Sequence, residues 1–567
     1  MDSRQRFTAW LEHPLIDSET KDELRRIAHD PTEVEDRFFK LLEFGTGGLR
    51  GKIGAGMNRM NVYTVSLATQ ALADVLKRQG QAHAGVAIAY DSRHMSREFA
   101  ETAAGVLVGN GIPVYVFKEL APTPLLSFAV RYYKAGAGLV ITASHNPPEY
   151  NGYKVYDYKG NQLLTDGALA VSRQMSELSL EDVNTARDAQ TSSLWTDLGE
   201  EVIQEYYKAV AQIAPFSGAD SDLRILYTPL HGTGGRFVPD VLHNAGFKYV
   251  KTVEEQMVPD SSFPTVRFPN PEEAASFKLA FRYGEKESFD IILATDPDAD
   301  RVGTAVWDDG EWVLLNGNQV GVLLADYILQ RLPDSIRKKA VVIKTIVTSE
   351  MIEPIAEKYG VEVMNTLTGF KYIGALIDVL EAQGKQFVLG FEESYGYLAG
   401  TAVRDKDAVL ASLLIAQVAA FYKERGLTLV RRLDQLMQEH GYYLEGLRSY
   451  SFGSSMEAQR AKEFIAELRT TPIATIADER VVSVLDYGKS TRLDLDTGKT
   501  STIDLPAEDV LQWITAQNSR VTLRPSGTEP KMKLYYGVRA DTREEAEKRL
   551  KDIEQAFDAM VRRGLKG

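Results

Sequence analysis

The stretch GLVITASHNP at residues 138–147 begins as an apolar run and ends in small, polar and turn-forming residues. A short apolar run that breaks into turn signals reads as a buried strand opening into a loop. The same layout returns at 291–300 (IILATDPDAD) and at 387–396 (FVLGFEESYG). Strands are predicted at Gly138–Thr142, Ile291–Ala294 and Phe387–Leu389, and also at Val86–Tyr90, Val114–Phe117, Ile225–Thr228 and Val341–Ile346. Amphipathic helical stretches separate them, which is the pattern of α/β layers with mostly parallel sheets. In open α/β sheets ligands bind beyond the carboxyl ends of strands, so three such loops predict three α/β units facing one site. The end of the chain differs. RVTLRPSGTEPKMKLYYGVRA (520–540) reads as strand, tight loop, strand, and EEAEKRLKDIEQAFDAMV (544–561) as an amphipathic helix. A smaller α+β unit is expected from about residue 440 onward.

Composition sets the limits around this reading. The chain has 567 residues, 44% hydrophobic and 25% charged, the balance of an ordinary globular protein of several domains. It has no cysteine, which excludes disulfides, thiolate nucleophiles and zinc–thiolate sites and fits a cytoplasmic location. With 65 basic and 79 acidic residues the net charge is −14, so a general nucleic-acid binder is not expected. Any phosphate site must then be a local cluster of Lys, Arg and backbone N–H groups. The beginning, MDSRQRFTAWLEH, has no apolar signal core. The run Ala408–Tyr422 is 15 residues long and contains Gln417. That is short of the roughly 20 a membrane span needs, so a buried helix is predicted there.

Four clusters carry chemistry. In TDPDADR, Asp296, Asp298 and Asp300 alternate directly after a strand. Three carboxylates in that pattern form an all-oxygen site for a hard divalent cation and suit Mg²⁺; a solvated acidic turn is the plainer reading. An EF-hand loop does not fit, because Arg301 and Trp307 stand where it needs Gly and Glu. Arg301 beside three acids suits a phosphate that bridges the metal. In TASHNP, Ser144 follows a strand among small residues, as a phosphate acceptor, a helix cap or a plain turn residue. The nucleophile elbow G-x-S-x-G of a Ser-His-Asp hydrolase is missing, and His145 beside Ser144 in sequence does not by itself orient a base.

The third cluster is Arg524-Pro-Ser526-Gly527-Thr528-Glu-Pro-Lys531, in which a guanidinium fork, hydroxyls and an ammonium can meet one phosphate. The fourth is Glu392-Glu393-Ser394, with Gly369-Phe370-Lys371 upstream and Arg404-Asp405-Lys406-Asp407 downstream; Glu392 and Ser394 can bind vicinal sugar hydroxyls. The glycine-rich FGTGGLRGKIGAG at 44–56 fits no nucleotide fingerprint, but Arg50 within it can face a phosphate.

Taken together, TASHNPxxxNGYK, DPDADR, GFEES and RPSGTEPK, in this order, resemble the phosphoserine, metal, sugar and phosphate loops of the α-D-phosphohexomutase family. PLHGTGG (229–235) and FPTVRFPNPE (263–272) also look familial, and LEFGTGGLRG and the length resemble its phosphoglucomutase-2-type branch, which includes bacterial phosphoglucomutases and phosphopentomutases. The resemblance implies three mixed α/β domains of similar layout and a smaller C-terminal α+β domain around a central cleft. The expected boundaries are 1–205, 206–315, 316–440 and 441–567. It implies reversible movement of phosphate between the 1- and 6-positions of a hexose. Glucose phosphate is the first expectation, with pentose and mannose phosphates after it.

The implied roles follow residue by residue. Ser144 becomes the phosphoserine, and Asp296, Asp298 and Asp300 hold Mg²⁺ together with an oxygen of that serine. Glu392 and Ser394 hold sugar hydroxyls. Arg524, Ser526, Gly527, Thr528 and Lys531 grip the phosphate that is not transferred, with Arg50, Gly369 and Lys371 also on the substrate. His145, Lys154, Arg301 and Lys406 stand near the transfer. Some family members place a histidine two positions after the sugar-loop serine. That place is Gly396 here, which moves the acid/base expectation to Lys406 or Lys154. Glucose 1,6-bisphosphate is implied as intermediate and activator. The expected partners are small sugar phosphates, with no nucleic acid or membrane, and the expected state is a monomer or weak homodimer in the cytoplasm.

Two readings from other classes compete. Asp298-Ala-Asp-Arg-Val302 fits the D-x-D-x-V of an aspartate-nucleophile phosphatase, which leaves the serine, sugar and phosphate loops unexplained. A non-catalytic sugar-phosphate sensor has no need of an intact Ser144 beside three metal acids.

Overall fold

The computed structural model describes residues 2–45, 47–214, 221–452, 455–471, 473–525 and 531–566. The chain forms two compact units, Met1–Val320 with Phe370–Leu429, and Gly321–Gly369 with Val430–Gly567.

The first unit opens with three short helices, Ser3–Glu12, Ser18–Ile27 and Pro31–Phe38, which the strand-centred reading passed over. Their signal is a repeated cap. Asp2, Asp17 and Asp30 each accept a backbone N–H of the following turn, satisfying donors that the first helical turn leaves orphaned. Phe7, Trp10, Leu24, Val34 and Phe38 then close a separate apolar cluster.

The next sheet contains strands Val86–Tyr90, Val114–Phe117 and Ala137–Ile141 in parallel, as expected of buried apolar runs. Trp195–Leu198 adds a further parallel neighbour beside Val114–Phe117, and the other edge of the sheet is antiparallel. Tyr150–Asp157 returns antiparallel beside Ala137–Ile141, and Gly48–Lys52 pairs antiparallel with it. The reason is connection length: the loop 142–149 is too short for a crossover helix, so the chain can only fold back as a hairpin. That hairpin carries Ser144 at its tip and Lys154 on its return strand. A second mixed sheet pairs Arg224–Thr228 in parallel with Tyr249–Thr252 and Ile291–Thr295, and Val302–Asp308 then turns back antiparallel. The metal loop 296–301 is the tip of this second hairpin. Gln386–Phe391 and Tyr397–Ala399 form a third hairpin, with the sugar loop between them.

Helix Ala408–Lys423 follows, and residues 408–422 are all buried. No helix of the described residues is long and apolar enough to cross a membrane. Asp407 caps the helix, accepting from the Leu410 N–H at 2.9 Å and from the Tyr206 hydroxyl at 2.8 Å. Burial raises the Asp407 carboxyl to about 6, despite those hydrogen bonds. A raised carboxyl is neutral in the fold while the unfolded chain has already ionised, so stability falls as pH rises from about 4 to 6 and is level above that. The loss across that window is about 3 kcal/mol from this group. Asp407→Asn is expected to flatten the pH 4–6 slope and to raise the thermal midpoint at pH 7, as read by thermal unfolding across that range.

In the second unit, Ala340–Thr345 pairs in parallel with Glu362–Thr366. Beyond residue 440 lies an antiparallel sheet in which Tyr442–Ser451, Lys531–Ala540, Arg520–Pro525 and Leu511–Thr515 are successive neighbours. Helices Ser455–Thr470 and Arg543–Lys566 pack on this sheet through Phe464, Trp513, Phe557 and Val561, the α+β layout expected of the C-terminal part.

Candidate active site

Ser144 sits just beyond the end of strand Ala137–Ile141 with φ +52°, in the left-handed region, and is 3% exposed. No helix starts near it, so the cap reading falls away. Its Oγ donates to Asp296 Oδ2 at 2.6 Å and lies 3.2 Å from His145 Nδ1. The backbone is held independently of that hydroxyl. The Ser144 N–H donates to Thr142 Oγ1 at 2.8 Å, and the Arg93 guanidinium donates to the Ser144 carbonyl. Arg93 also reaches the carbonyls of Asn146 (2.5 Å), Pro147 (2.9 Å) and Tyr150 (3.1 Å) and pairs with buried Asp91. Sequence reasoning missed Arg93. The signal was Asp91-Ser-Arg93 directly after an apolar strand, the same strand-to-polar-loop layout as the other three loops.

The three aspartates converge. One oxygen from each of Asp296, Asp298 and Asp300 lies within 4.8 Å of the others, and all three residues are buried. The metal loop is tied down on several sides through its backbone. The carbonyl of Pro297 accepts from the Thr233 N–H at 2.8 Å, that of Asp298 from Thr123 at 2.9 Å and that of Ala299 from Ala408 at 3.2 Å. Asp296 Oδ1 accepts the N–H groups of Asp300 and Arg301. Thr123 Oγ1 donates to Asp298 Oδ2 at 2.9 Å, a contact that nothing in the sequence announces.

Two lysines face the carboxylates. Lys154 Nζ lies 2.7 Å from Asp298 Oδ2 and 3.5 Å from Asp300 Oδ2. Lys406 Nζ lies 3.1 Å from Asp300 Oδ2 and 3.2 Å from Asp405 Oδ1. Burial alone would lower both ammonium pKa values; the facing carboxylates, Asp298 and Asp300 for Lys154 and Asp300 and Asp405 for Lys406, outweigh it and raise them. Burial lifts Asp296 well above the carboxylate range, with Asp298 and Asp300 adding to the effect. Asp298 is buried too, yet the Lys154 charge and its hydrogen bond hold it down. His145 is pushed well below the imidazole range by burial and then by Arg301 and Arg50, so it is neutral at pH 7. The Arg301 guanidinium bonds Glu272, the last residue of the familial FPTVRFPNPE stretch.

Gly396 explains why one familial histidine position is empty here. A Cβ at 396 would lie 2.2 Å from Lys406 Cδ and 2.7 Å from Cγ, so the Lys406 stem occupies the space a side chain there would need. Gly396 also bridges Arg301, and the Tyr395 carbonyl accepts from the Val302 N–H at 3.1 Å, which joins the sugar loop to the metal loop. Glu392 is buried, and Ser394 Oγ lies 3.4 Å from its Oε2. Arg50 donates to Asn146 Oδ1 at 3.1 Å beside the serine loop. Lys371 is buried in the first turn of helix Phe370–Ala382.

The structure therefore gathers Arg50, Ser144, His145, Lys154, the three aspartates, Arg301, Glu392, Ser394 and Lys406 in the first unit. Gly369, Arg524 and Lys531 belong to the second unit. There Arg524 is the last residue but one of strand Arg520–Pro525, 3.6 Å from Glu508, and Lys531 begins the next strand. Ser526, Gly527 and Thr528 lie outside the described residues.

The donor set fits a divalent cation. Oδ1 of Asp298 and Oδ1 of Asp300 are buried without a hydrogen-bond partner, and three clustered acids with hard oxygen donors are the chemistry Mg²⁺ takes. Adding Mg²⁺ to EDTA-treated protein is expected to raise the thermal midpoint. A 100-fold excess over the dissociation constant corresponds to about 2.7 kcal/mol. Asp298→Asn is expected to abolish the rise, and an unchanged midpoint in the wild type would count against the site.

A buried serine hydroxyl against a cation-binding carboxylate cluster, with two ammonium groups paired to its aspartates, defines a phosphoryl-transfer enzyme on an α/β frame. The chain belongs to the phosphoglucomutase/phosphomannomutase family: its alpha/beta/alpha domains I, II and III match residues 41–182, 204–309 and 316–440. It catalyses the phosphohexomutase-type reaction of that family. A phosphoglucomutase of Staphylococcus epidermidis is 36% identical over 90% of this chain and 93% of its own length. One from Staphylococcus aureus is 36% identical over 94% of each chain. Among solved structures, a phosphoglucomutase/phosphomannomutase family protein from Burkholderia thailandensis has a TM-score of 0.68 at 19% identity, covering 92% of this chain and 96% of that one. The phosphoprotein pp63/parafusin from Paramecium has a TM-score of 0.65 at 17% identity, covering 93% and 94%. At such identities these two structures speak for the fold.

Proposed function

We propose that this enzyme interconverts α-D-glucose 1-phosphate and glucose 6-phosphate through phosphoserine at Ser144 and a glucose 1,6-bisphosphate intermediate. The observation that carries the reading is the Ser144 hydroxyl 2.6 Å from Asp296, inside the buried acid cluster. The choice of glucose rests on the bacterial relatives, which are phosphoglucomutases over more than nine-tenths of their length. In this reading the chain divides into four domains, 1–205, 206–315, 316–440 and 441–567, and the enzyme works in the cytoplasm on small sugar phosphates as a monomer or weak homodimer.

In the first half-reaction the Ser144 Oγ–P bond breaks and phosphorus bonds the free sugar oxygen; in the second, the O–P bond at the other end of the bisphosphate breaks and phosphorus bonds Ser144 Oγ again. The proton given up by the sugar hydroxyl is matched by the proton Oγ regains. Lys406 is our candidate to carry it: held as an ammonium beside Gly396 by Asp300 and Asp405, it gives a proton to the leaving Oγ, and the amine so formed takes up the proton of the sugar hydroxyl. Lys154 and Arg301 offset the charge of the transferring group, while Arg93 keeps the serine loop in place. Mg²⁺ bound by Asp296, Asp298 and Asp300 would supply the remaining charge neutralisation. Glu392 and Ser394 take sugar hydroxyls. Arg524, Ser526, Gly527, Thr528 and Lys531 hold the phosphate that does not react, with Arg50, Gly369 and Lys371 as further substrate contacts. Binding energy spent there orients the reacting oxygen.

The test is a comparison of kcat/KM for glucose 1-phosphate, mannose 1-phosphate and ribose 1-phosphate, with Mg²⁺ and trace glucose 1,6-bisphosphate. Glucose 1-phosphate is expected to be the best substrate. A higher value for mannose or ribose phosphate would reassign the sugar and leave the serine chemistry standing.

A further inference from the structure

The stretches PLHGTGG (229–235) and FPTVRFPNPE (263–272) supply none of the reacting groups, yet the fold knits them together. We propose that His231 and Thr265 are positioning residues for phosphoryl transfer. They clasp the loop that carries Phe263, and through Phe263 they hold Arg93 and the serine loop in place.

Between helix Glu254–Met257 and the short helix Ala274–Phe277 the chain runs through residues 258–273 without helix or strand. So long an irregular segment is uncommon in a compact domain, and side chains must fix its path. His231 fixes it at two points. Its Nδ1 lies 2.9 Å from the Val258 carbonyl and its Nε2 lies 2.9 Å from Thr265 Oγ1. A carbonyl only accepts, so Nδ1 carries the proton and Nε2 accepts from the Thr265 hydroxyl. That hydroxyl accepts in turn from Gln256 Nε2 at 2.8 Å. Gln256 Oε1 accepts from Thr228 Oγ1 at 2.6 Å, at the end of strand Arg224–Thr228. The bonds therefore run in one direction from the sheet to the loop. His231 and Gln256 are buried, whereas Thr265 is exposed.

Phe263 stands inside the clasp, between Val258 and Thr265. It is 1% exposed, and its ring covers the Arg93 guanidinium at 5.0 Å. A ring in that place keeps water from the guanidinium and so strengthens the bonds it makes elsewhere. Those bonds go to the carbonyls of Ser144, Asn146, Pro147 and Tyr150. The backbone is held against its own preference: φ is +47° at Phe263, +64° at His231 and +47° at Leu230. Left-handed backbone at bulky residues is costly, persists where the surroundings over-determine it, and clusters at functional sites. Ser144, Ala299 and Tyr395, in the serine, metal and sugar loops, share it. The path from His231 to Ser144 is thus a chain of direct contacts. Beyond the clasp the same loop ends on Glu272, which holds Arg301.

Steady-state kinetics and amide hydrogen exchange, read by mass spectrometry on the full-length enzyme, test the clasp. Thr265→Val removes the closing hydroxyl at an exposed position. It is expected to lower kcat about tenfold with KM for the sugar phosphate unchanged, and to speed exchange of residues 142–151. Phe263→Leu keeps an apolar side chain but removes the ring over Arg93, and should do the same. Thr265→Ser restores the hydroxyl and should recover both readouts. The proposal is overturned if either readout of Thr265→Val and Phe263→Leu matches the wild type, if faster exchange is confined to residues 256–272, or if Thr265→Ser recovers neither. Exchange is read without turnover, so that result stands apart from the choice of sugar and from Ser144 as the phosphate carrier.

Discussion

Replacing Ser144 by alanine is expected to lower mutase turnover by about 10⁴-fold or more while leaving the fold intact. The covalent intermediate needs Oγ, and no other described hydroxyl is bonded to Asp296. The loop does not depend on Oγ: Thr142 holds the Ser144 N–H and Arg93 holds its carbonyl. Losing one buried hydrogen bond costs about 1 kcal/mol, so the thermal midpoint should move little. Alanine meets the same left-handed backbone cost that serine already bears, which leaves the comparison clean. Turnover of glucose 1-phosphate and thermal unfolding, measured on the same preparations, check both halves. Equal turnover in the two proteins would remove Ser144 as the phosphate carrier and return Asp298 to contention. The geometry argues against that outcome, because Asp298 is fully buried and its Oδ2 is already engaged by Lys154 and Thr123.

Arg93→Ala is expected to be the most destabilising single change near the site. Arg93 is buried, pairs with buried Asp91, spans the carbonyls of four residues between 144 and 150, and lies under the Phe263 ring at 5.0 Å. Breaking a buried pair by removing one partner costs about 3–5 kcal/mol, because the other charge stays behind. Four carbonyls lose their donor at the same time. The serine loop then loses the clamp that aims Ser144 at Asp296, so kcat should fall by about 100-fold or more. Arg93→Lys should recover little, since a single ammonium cannot reproduce a planar fork spanning four acceptors. Denaturant unfolding and steady-state kinetics read the two effects. A variant with near-normal kcat would show that the loop holds its shape without the clamp.

What could be read in advance was local and chemically distinctive. Ser144, Asp296, Asp298, Asp300, Glu392 and the Arg524–Lys531 loop each lie in an unbroken motif at a strand end. A strand end delivers its loop to one edge of the sheet whatever the rest of the chain does. The same logic placed strands Val86–Tyr90 and Val114–Phe117 and the buried helix from Ala408, because an uninterrupted apolar run has few other stable fates. The mixed sheets were less legible, since strand direction depends on connection length rather than on the run itself.

Only the tertiary structure could assign the partners of Arg93, Thr123 and Glu272. Their partners lie far away in sequence: Arg93 serves carbonyls more than fifty residues on, and Thr123 donates to an aspartate 175 residues away. Backbone carbonyls are identical at every position, so no motif marks the ones that will be grasped. The empty place at Gly396 belongs to the same class. Its cause is the Lys406 stem, ten residues later and brought back by the hairpin. The sequence by itself determined which groups can carry phosphate, metal and sugar. The fold decided which of them meet, which are charged there and what holds them, because burial and distance are properties of the packed chain alone.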